Sequence, residues 1–424
     1  MLQTKRWATA AAALVSIGWP GVSAAATLNV PGDFATIQAC IDAAVSGVDE
    51  CVVAPGTYHE TINFLGKAIT LRSSGGAGVT TIDATGIGGS VVTCSTGEGP
   101  DTVLDGFTIT RGRGTVDMFD SAVGGGMYNY NSSPTVSNCT FNRNIAIGVS
   151  GGSGGGMYNL LSSPTVTNCT FSGNLAMNGG GGMSNLYGSA TVTNCTFSGN
   201  STIYGVGGGM VNGHCTLTVI NCTFSANTAH GGYGWGGGMI NGPDTALTIS
   251  NCVLSGNSPD EIVNSDGSAV PTIRFSNVQG GLPIGAIDGG GNINLDPIFV
   301  RPPDPGPDGE WDGVDDDYGD LRLQAGSPCI NAGDPGFVAQ PAETDLEGHA
   351  RVLCGRVDMG AYEFGIGDYD CDQTVNLSDF SAWSSCTTGP HSGPYEGGCE
   401  GFDFDGDGDV DLLDFGGFQT IVVP

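Results

Sequence analysis

The residues whose spacing best suits chemistry lie near the C-terminus. In GDYDCDQTVNLSDF, Asp368, Asp370, Asp372, Thr374, Asn376 and Asp379 fall at positions 1, 3, 5, 7, 9 and 12 of a loop. In FDFDGDGDVDLLDF, Asp403, Asp405, Asp407, Asp409, Asp411 and Asp414 fall at the same positions. Alternate residues on a tight loop turn inward together. Each run can therefore surround a hard cation with carboxylate and amide oxygens, with the position-7 carbonyl completing the set. Calcium is the cofactor that fits these donors. Gly408 supplies the sharp turn at position 6, whereas Gln373 stands there in the first loop, which is expected to bind more weakly. Each loop runs into a predicted helix carrying Leu377, Phe380 and Trp383 or Leu412, Phe415 and Phe418. No full helix precedes either loop, and position 12 is Asp rather than Glu.

Other reactive side chains are sparse. Arg111, Arg113 and Arg143, with Asp117 and Asp120, form the one local group of mixed charge in the repeat region, read as a surface salt-bridge cluster. Tyr204, His230, Tyr233 and Trp235 sit in segments of variable length, where rings can stack on sugars. Paired carboxylates for glycoside hydrolysis are not evident, and no catalytic residue is assigned.

Composition narrows the partners. Of 424 residues, 12 are basic and 43 acidic, a net charge of −31. Twenty-seven of the acids follow residue 295. Nucleic acid is excluded as a partner, because phosphate contacts require Lys and Arg. The N-terminus reads as a secretory signal over residues 1–26: Lys5 and Arg6, an apolar run from Trp7 to Ile17, then small residues before Thr27. That run is too short for a good membrane span, and no transmembrane helix is expected in the mature chain. The protein is expected to be secreted, outside the cell or at its surface. Fourteen cysteines then suggest disulfides. Cys40–Cys51 and Cys329–Cys354 are the expected pairs; Cys371, Cys386 and Cys399 stay unassigned.

The elements that must carry these residues are written as a repeat. GGGMYN at 124 and 154 is followed by GGGMSN, GGGMVN and GGGMIN. Beside it runs NCTFNRN, NCTFSGN (twice), NCTFSAN and NCVLSGN, with cysteines spaced 30, 26, 27 and 30 residues apart. From Met to Cys is 12 residues four times and 13 once, so this segment is nearly fixed and insertions fall between the last Asn of one unit and the next glycine triplet. Short Thr/Val runs bounded by Gly, Asn and Ser are strand and turn signals. A 26–30-residue unit of this kind fits one coil of a parallel β-helix, whose coils bury their apolar sides only by stacking. Met127, Val136, Cys139, Phe141 and their equivalents are predicted to form core ladders. Asn138 marks a left-handed turn, and the Asn closing GGGMxN is predicted to bond coil to coil. The residue between Met and Asn should face out. Disulfides between the stacked repeat cysteines are not expected, and soft-metal binding by them is set aside in favour of packing.

GGGMYN…TVTNCTFSGN resembles the repeat of polymorphic outer membrane proteins and, more broadly, right-handed parallel β-helices of the pectin-lyase-like superfamily. VPGDFATIQACIDAA resembles the helix that caps such coils, with Ile37, Ile41 and Ala44 on one face. NINLDPIFV, DDDYGDLRLQAGSPCINAGDP and RVDMGAYEF resemble a choice-of-anchor segment of exported β-helix proteins. The duplicated loop-plus-helix resembles a type I dockerin. It departs in a Cys-bearing insert and in Leu377-Ser378 and Leu412-Leu413, where dockerins carry partner-reading residues.

The expected organisation is all-β: a right-handed parallel β-helix over 27–300 with a short N-terminal capping helix, final coils and a cap over 301–364, and a dockerin-like calcium-binding domain over 366–424. The expected function is that of a secreted or cell-surface scaffold or adhesin, contacting polysaccharide and, through the tail, a cohesin-like or cell-surface protein. The alternative the resemblance implies is a polysaccharide lyase or O-glycosyl hydrolase. Lyases of this fold use a basic residue, usually Arg, to take a proton from the uronate.

Overall fold

The computed structural model describes residues 25–230, 236–265, 267–311, 313, 315–340, 343–389, 399–405 and 407–421. Residues 1–24 of the expected signal segment and the inserted rings Tyr233 and Trp235 lie outside these residues.

The chain winds as a parallel β-helix. Three long parallel sheets have 11, 8 and 9 strands, and each strand pairs with its equivalent in the next coil. One coil shows the frame. Met157–Leu160 lies in the eight-stranded methionine sheet, Thr165–Thr167 in the eleven-stranded valine sheet and Thr170–Ser172 in the nine-stranded phenylalanine sheet. Register is residue for residue: Met157 opposite Met183, Val166 opposite Val192, Phe171 opposite Phe197. Helix α1 (Ile37–Ala43) packs on the first strands, with Ile37, Ile41 and Ala44 buried as predicted.

Each repeat position has one physical job. Met127, Val136, Cys139, Phe141 and their equivalents are buried in one continuous core. The phenylalanine rings stack 4.5–4.8 Å apart and within 4° of parallel, because in-register strands impose the ladder spacing on them. Asn138, Asn168, Asn194, Asn221 and Asn251 all take the left-handed conformation, φ 52–55°. The three glycines of GGGMxN differ in purpose. The first has φ 61–68° in every unit. The second and third pass so close to the next coil that, at Gly155 and Gly156, a Cβ would sit 2.4 and 2.5 Å from carbonyl oxygens of Gly181 and Gly182.

Two asparagine ladders tie the coils. The predicted one runs Asn129–Asn159–Asn185–Asn212–Asn241–Asn264 through amide hydrogen bonds of 2.8–3.1 Å. A second, not anticipated from the sequence, is built from the last Asn of NCTFxxN. Asn174 shows its completeness: Oδ1 accepts from Asn144 N and Nδ2, while Nδ2 donates to Phe141 O and Asn200 Oδ1. Every polar atom of this buried amide is satisfied, so the ladder adds directionality without a desolvation penalty. Its recurrence in all five units was the available clue.

Glu261 ends the second ladder by accepting from Asn257 N and Nδ2. Burial pushes its carboxyl from the ordinary 4.5 up to about 7. The folded chain thus holds this proton more tightly than the unfolded chain. The group favours folding below pH 4.5, and that contribution is lost as pH rises through 7. Glu261→Gln should remove this pH dependence, so that its stability relative to the parent is greater at pH 8 than at pH 4 by about 2 kcal/mol, read from urea unfolding at both values.

Several expectations are corrected. The residue between Met and Asn does point off the methionine sheet, but Tyr158, Ser184 and Ile240 are buried rather than exposed. Among the described residues of 301–364, no strand joins the three long parallel sheets as a final coil. Phe299–Arg301 and Asp320–Leu323 form an antiparallel pair. From there the chain runs back over the outer face of the phenylalanine sheet. Ser198 Oγ donates to Tyr318 O, Ala361 N to Thr223 Oγ1 and Asn194 Nδ2 to Thr344 O. Trp311 and Tyr318 lie against Gly199 and Gly173, where a Cβ would be 2.6 Å from the Trp311 ring and 2.0 Å from the Tyr318 hydroxyl.

The Cys329–Cys354 pairing is also wrong. Cys329 is a buried thiol facing Asn277, while Cys354 reaches the tail and bonds Cys371. Cys40–Cys51 forms as expected, and Cys386 pairs with Cys399. Eight cysteines, including the five stacked repeat thiols, remain reduced. Alkylation in denaturant without reductant should label eight thiols per chain. Six or fewer, with a new bond between coils, would contradict this pattern.

Candidate functional site

The two acidic loops fold into near-copies of one cradle. Each ends in a short helix, α2 (Leu377–Cys386) and α3 (Leu412–Ile421), whose aromatic faces meet around Phe402 and Phe418. Asp379, in the first turn of α2, accepts from the N–H groups of Tyr369 (2.7 Å), Asp370 (3.2 Å) and Asn376 (2.8 Å). Asp414, in the first turn of α3, accepts from Phe404, Asp405 and Asp411 at 2.7, 3.2 and 2.7 Å. The loop's first Asp is equally fixed: Asp368 accepts from Gln373 N and Asp403 from Gly408 N. A carboxylate so placed closes the loop and aligns with the positive end of the helix dipole.

These bonds draw acids together. Ligand oxygens of Asp368, Asp370 and Asp379 lie within 4.8 Å of one another, as do those of Asp403, Asp405 and Asp414 and those of Asp409, Asp411 and Asp414. Asp368, Asp379, Asp403, Asp409 and Asp414 are buried. Burial pushes Asp368 above the usual carboxylate range, with Asp379 and Asp372 adding like-charge repulsion. Asp409 Oδ1 is buried with no hydrogen-bond partner. Buried carboxylates crowded together, with Asp409 Oδ1 unclaimed, fit a divalent hard cation. Asp372 and Asp407 are spent on turns, accepting from Thr374 N and Asp409 N. Asn376 caps α2 through Ser378 N, and Thr374 offers its carbonyl to Asn376 Nδ2. Gln373 does adopt the left-handed conformation glycine would favour, φ 69°. Its side chain meanwhile accepts from Gly326 N at 2.8 Å, tying tail to body.

The arginine group is rearranged relative to expectation. Arg111 and Arg143 are register equivalents on adjacent coils, since Thr110 stands opposite Asn142. Together with Arg113 they line a cavity of 310 Å³ bounded by Thr85, Gly86, Ile145 and Gly313. Asp117 and Asp120 form no salt bridge with them among the described residues. Asp117 instead closes the hairpin 115–123, accepting from Phe119 and Ser121 N–H. The inserted rings are scattered: Tyr204 is exposed, and His230 lies 3.5 Å from Glu310. A ring cluster that sequence reasoning missed stands on the methionine sheet. There Tyr128 stacks on Tyr158 at 6.2 Å and on Tyr130 at 6.5 Å. Its clue was GGGMYNY itself, whose outward position carries Tyr in two consecutive units.

Residues 59–295 match the family model described as right handed beta helix region. Among solved structures, the chain is similar to pectate lyase Pel9A, at 16% identity and TM-score 0.41, covering 81% of this chain and 97% of that one. It is also similar to a pectin methylesterase from carrot, at 11% identity and TM-score 0.32, covering 66% and 91%. A rice weevil pectin methyl esterase follows at 15% identity and TM-score 0.24, covering 58% and 76%. Nothing about activity follows at these values. No curated protein matches the chain. No helix among the described residues is long and apolar enough to cross a membrane.

Proposed function

This chain belongs to the right-handed β-helix family, and from that premise we propose that it is an exported scaffold. Its tail holds calcium in two loops, and its coils contact polysaccharide. The observation that carries the reading is the duplicated cradle: N–H groups at the same three loop positions fix Asp379 and Asp414, and carboxylates crowd together in each loop. Asp368, Asp370, Asp372, Thr374, Asn376 and Asp379 would serve one ion, and Asp403, Asp405, Asp407, Asp409, Asp411 and Asp414 the other. Calcium supplies the counter-charge that lets these loops close. The exposed Leu377, Leu412 and Leu413 at the starts of the two helices then offer an apolar surface to a cohesin-like or cell-surface protein. The exposed Tyr130 and the half-buried Tyr128 supply ring faces for sugar along the coils, backed by the buried Tyr158.

Calorimetric titration of the mature chain should find two calcium sites, the second loop the tighter because Gly408 meets its turn without strain. No heat beyond dilution would overturn the calcium reading. Incubation with acidic and neutral polysaccharides, with and without calcium, should give retention without chain cleavage. Turnover abolished by substituting Arg111 or Arg113 would replace the scaffold by a lyase or hydrolase.

A further inference from the structure

Ten basic residues are described, in a chain with 43 acids. Five of them meet carboxylates: Arg72 with Glu50, Arg274 with Asp334, Arg301 with Asp317, Arg322 with Asp320 and Arg351 with Glu363. Two are spent on backbone carbonyls. Lys67 closes the end of α1 through Ile41, Asp42 and Ala44, and Arg356 holds Ala332 and Gly333. The remaining three are Arg111, Arg113 and Arg143, and they share one cavity. Among the described residues none of the three forms a salt bridge. Arg143 feels the nearby Asp316, which is itself engaged by the Tyr318 hydroxyl.

The cavity is built rather than incidental. Arg143 is fixed: Nη2 donates to Gly313 O at 2.8 Å, Nε to Tyr318 Oη at 3.3 Å, and its guanidinium lies 5.9 Å from the Tyr318 ring centre. Tyr318 is itself anchored, donating to Asp316 Oδ2 and receiving Ser198 through its carbonyl. Arg111 and Arg143 both have left-handed backbones, φ 62° and 54°, at a turn where the next two coils use Gly173 and Gly199. Arginine pays a conformational cost there that glycine avoids. Two in-register arginines also stand about 4.8 Å apart along the coil axis, like charge over like charge. Both costs are offset if an anion sits between them.

We propose that this cavity binds a tetrahedral oxyanion, a sulfate or phosphate ester carried on a glycan. Three guanidinium groups from three backbone positions match three free oxygens of such a group. A planar carboxylate offers only two. Non-specific capture is not the explanation, because the overall charge of −31 repels polyanions. The proposal rests on the glycan-contacting part of the function above but not on the tyrosine group.

The test uses the calcium-loaded mature chain and four probes: inorganic sulfate, inorganic phosphate, a sulfated galacto-oligosaccharide and an oligogalacturonate of equal length. Calorimetry should show the sulfated chain binding about tenfold or more tightly than the oligogalacturonate. Sulfate or phosphate alone should compete with it. Arg113→Ala should weaken binding by about tenfold, while Arg113→Lys retains most of it. Arg111→Ala should act likewise, with an unchanged circular dichroism spectrum confirming the fold. Equal or tighter binding of the oligogalacturonate, or no loss in both alanine variants, would overturn the site. Retention of chains that Tyr128→Ala removes but Arg113→Ala leaves intact would overturn the oxyanion site while leaving the glycan-contacting function standing. Retention lost in neither would sink both.

Discussion

Replacing Gly155 with alanine is expected to disrupt the coil stack rather than merely weaken it. The added Cβ would stand 2.4 Å from Gly181 O and 2.7 Å from Leu175 O. Both are backbone atoms, so no side chain can swing aside. Moving the strand away would break Gly155 N to Gly180 O and Gly156 N to Gly181 O, both 3.0 Å, at the same time. Buried amides without partners add their own cost, and a loss of about 4 kcal/mol or more is expected. Because each coil is held only by its neighbours, the defect falls in the middle of the stack, where no end can fray to absorb it. Met157→Leu, one position past the triplet and equally buried, conserves volume and should cost about 1 kcal/mol. Urea unfolding of the two variants gives the comparison. A Gly155→Ala protein within about 1 kcal/mol of the parent would show that the triplet is not set by contact between coils.

Chelating calcium is expected to loosen the tail while leaving the coils folded. A ligand at 100 times its dissociation constant contributes about 2.7 kcal/mol, so two loops give the tail roughly 5 kcal/mol that EDTA would remove. Helices α2 and α3 are only ten residues each, too short to persist without the packing those loops organise. The tail should therefore unfold first on heating in EDTA and move to higher temperature with calcium, the coil transition staying put. Asp414→Ala cannot separate binding from folding, because Asp414 also holds three N–H groups. Asp405→Asn can: Asp405 is exposed and, among the described residues, its side chain accepts one hydrogen bond, from Asp407 N. It should keep the calcium-free spectrum and lose about tenfold or more in affinity at one site. An unchanged tail transition with and without calcium in the parent protein would rule against the metal.

The coil frame was legible because one-dimensional stacking turns each residue's role into a repeated letter. Met, Val, Cys and Phe recur where the core lies, Asn where the backbone turns left-handed, and Gly where coils touch. The tail's loops were legible for a similar reason: alternation along a tight loop puts its acids on one side, whatever the rest of the chain does. The repeat's letters also held the second asparagine ladder and the Tyr128 and Tyr158 positions.

Only the tertiary structure decided features that join segments far apart. Cys354 selects Cys371 over Cys329 because the returning chain presents it to the tail. Residues 311–361 cover the phenylalanine sheet because Gly173 and Gly199 leave room for Tyr318 and Trp311, a match between positions more than 100 residues apart. The arginine group changed meaning most. In sequence, Arg111 and Arg113 stand near Asp117 and Asp120 and read as paired. In the fold the hairpin claims Asp117, and the coil register brings Arg143 beside Arg111 instead. Proximity along the chain says little about charge pairing in a solenoid, since the nearest neighbour across a ladder is a full coil away in sequence.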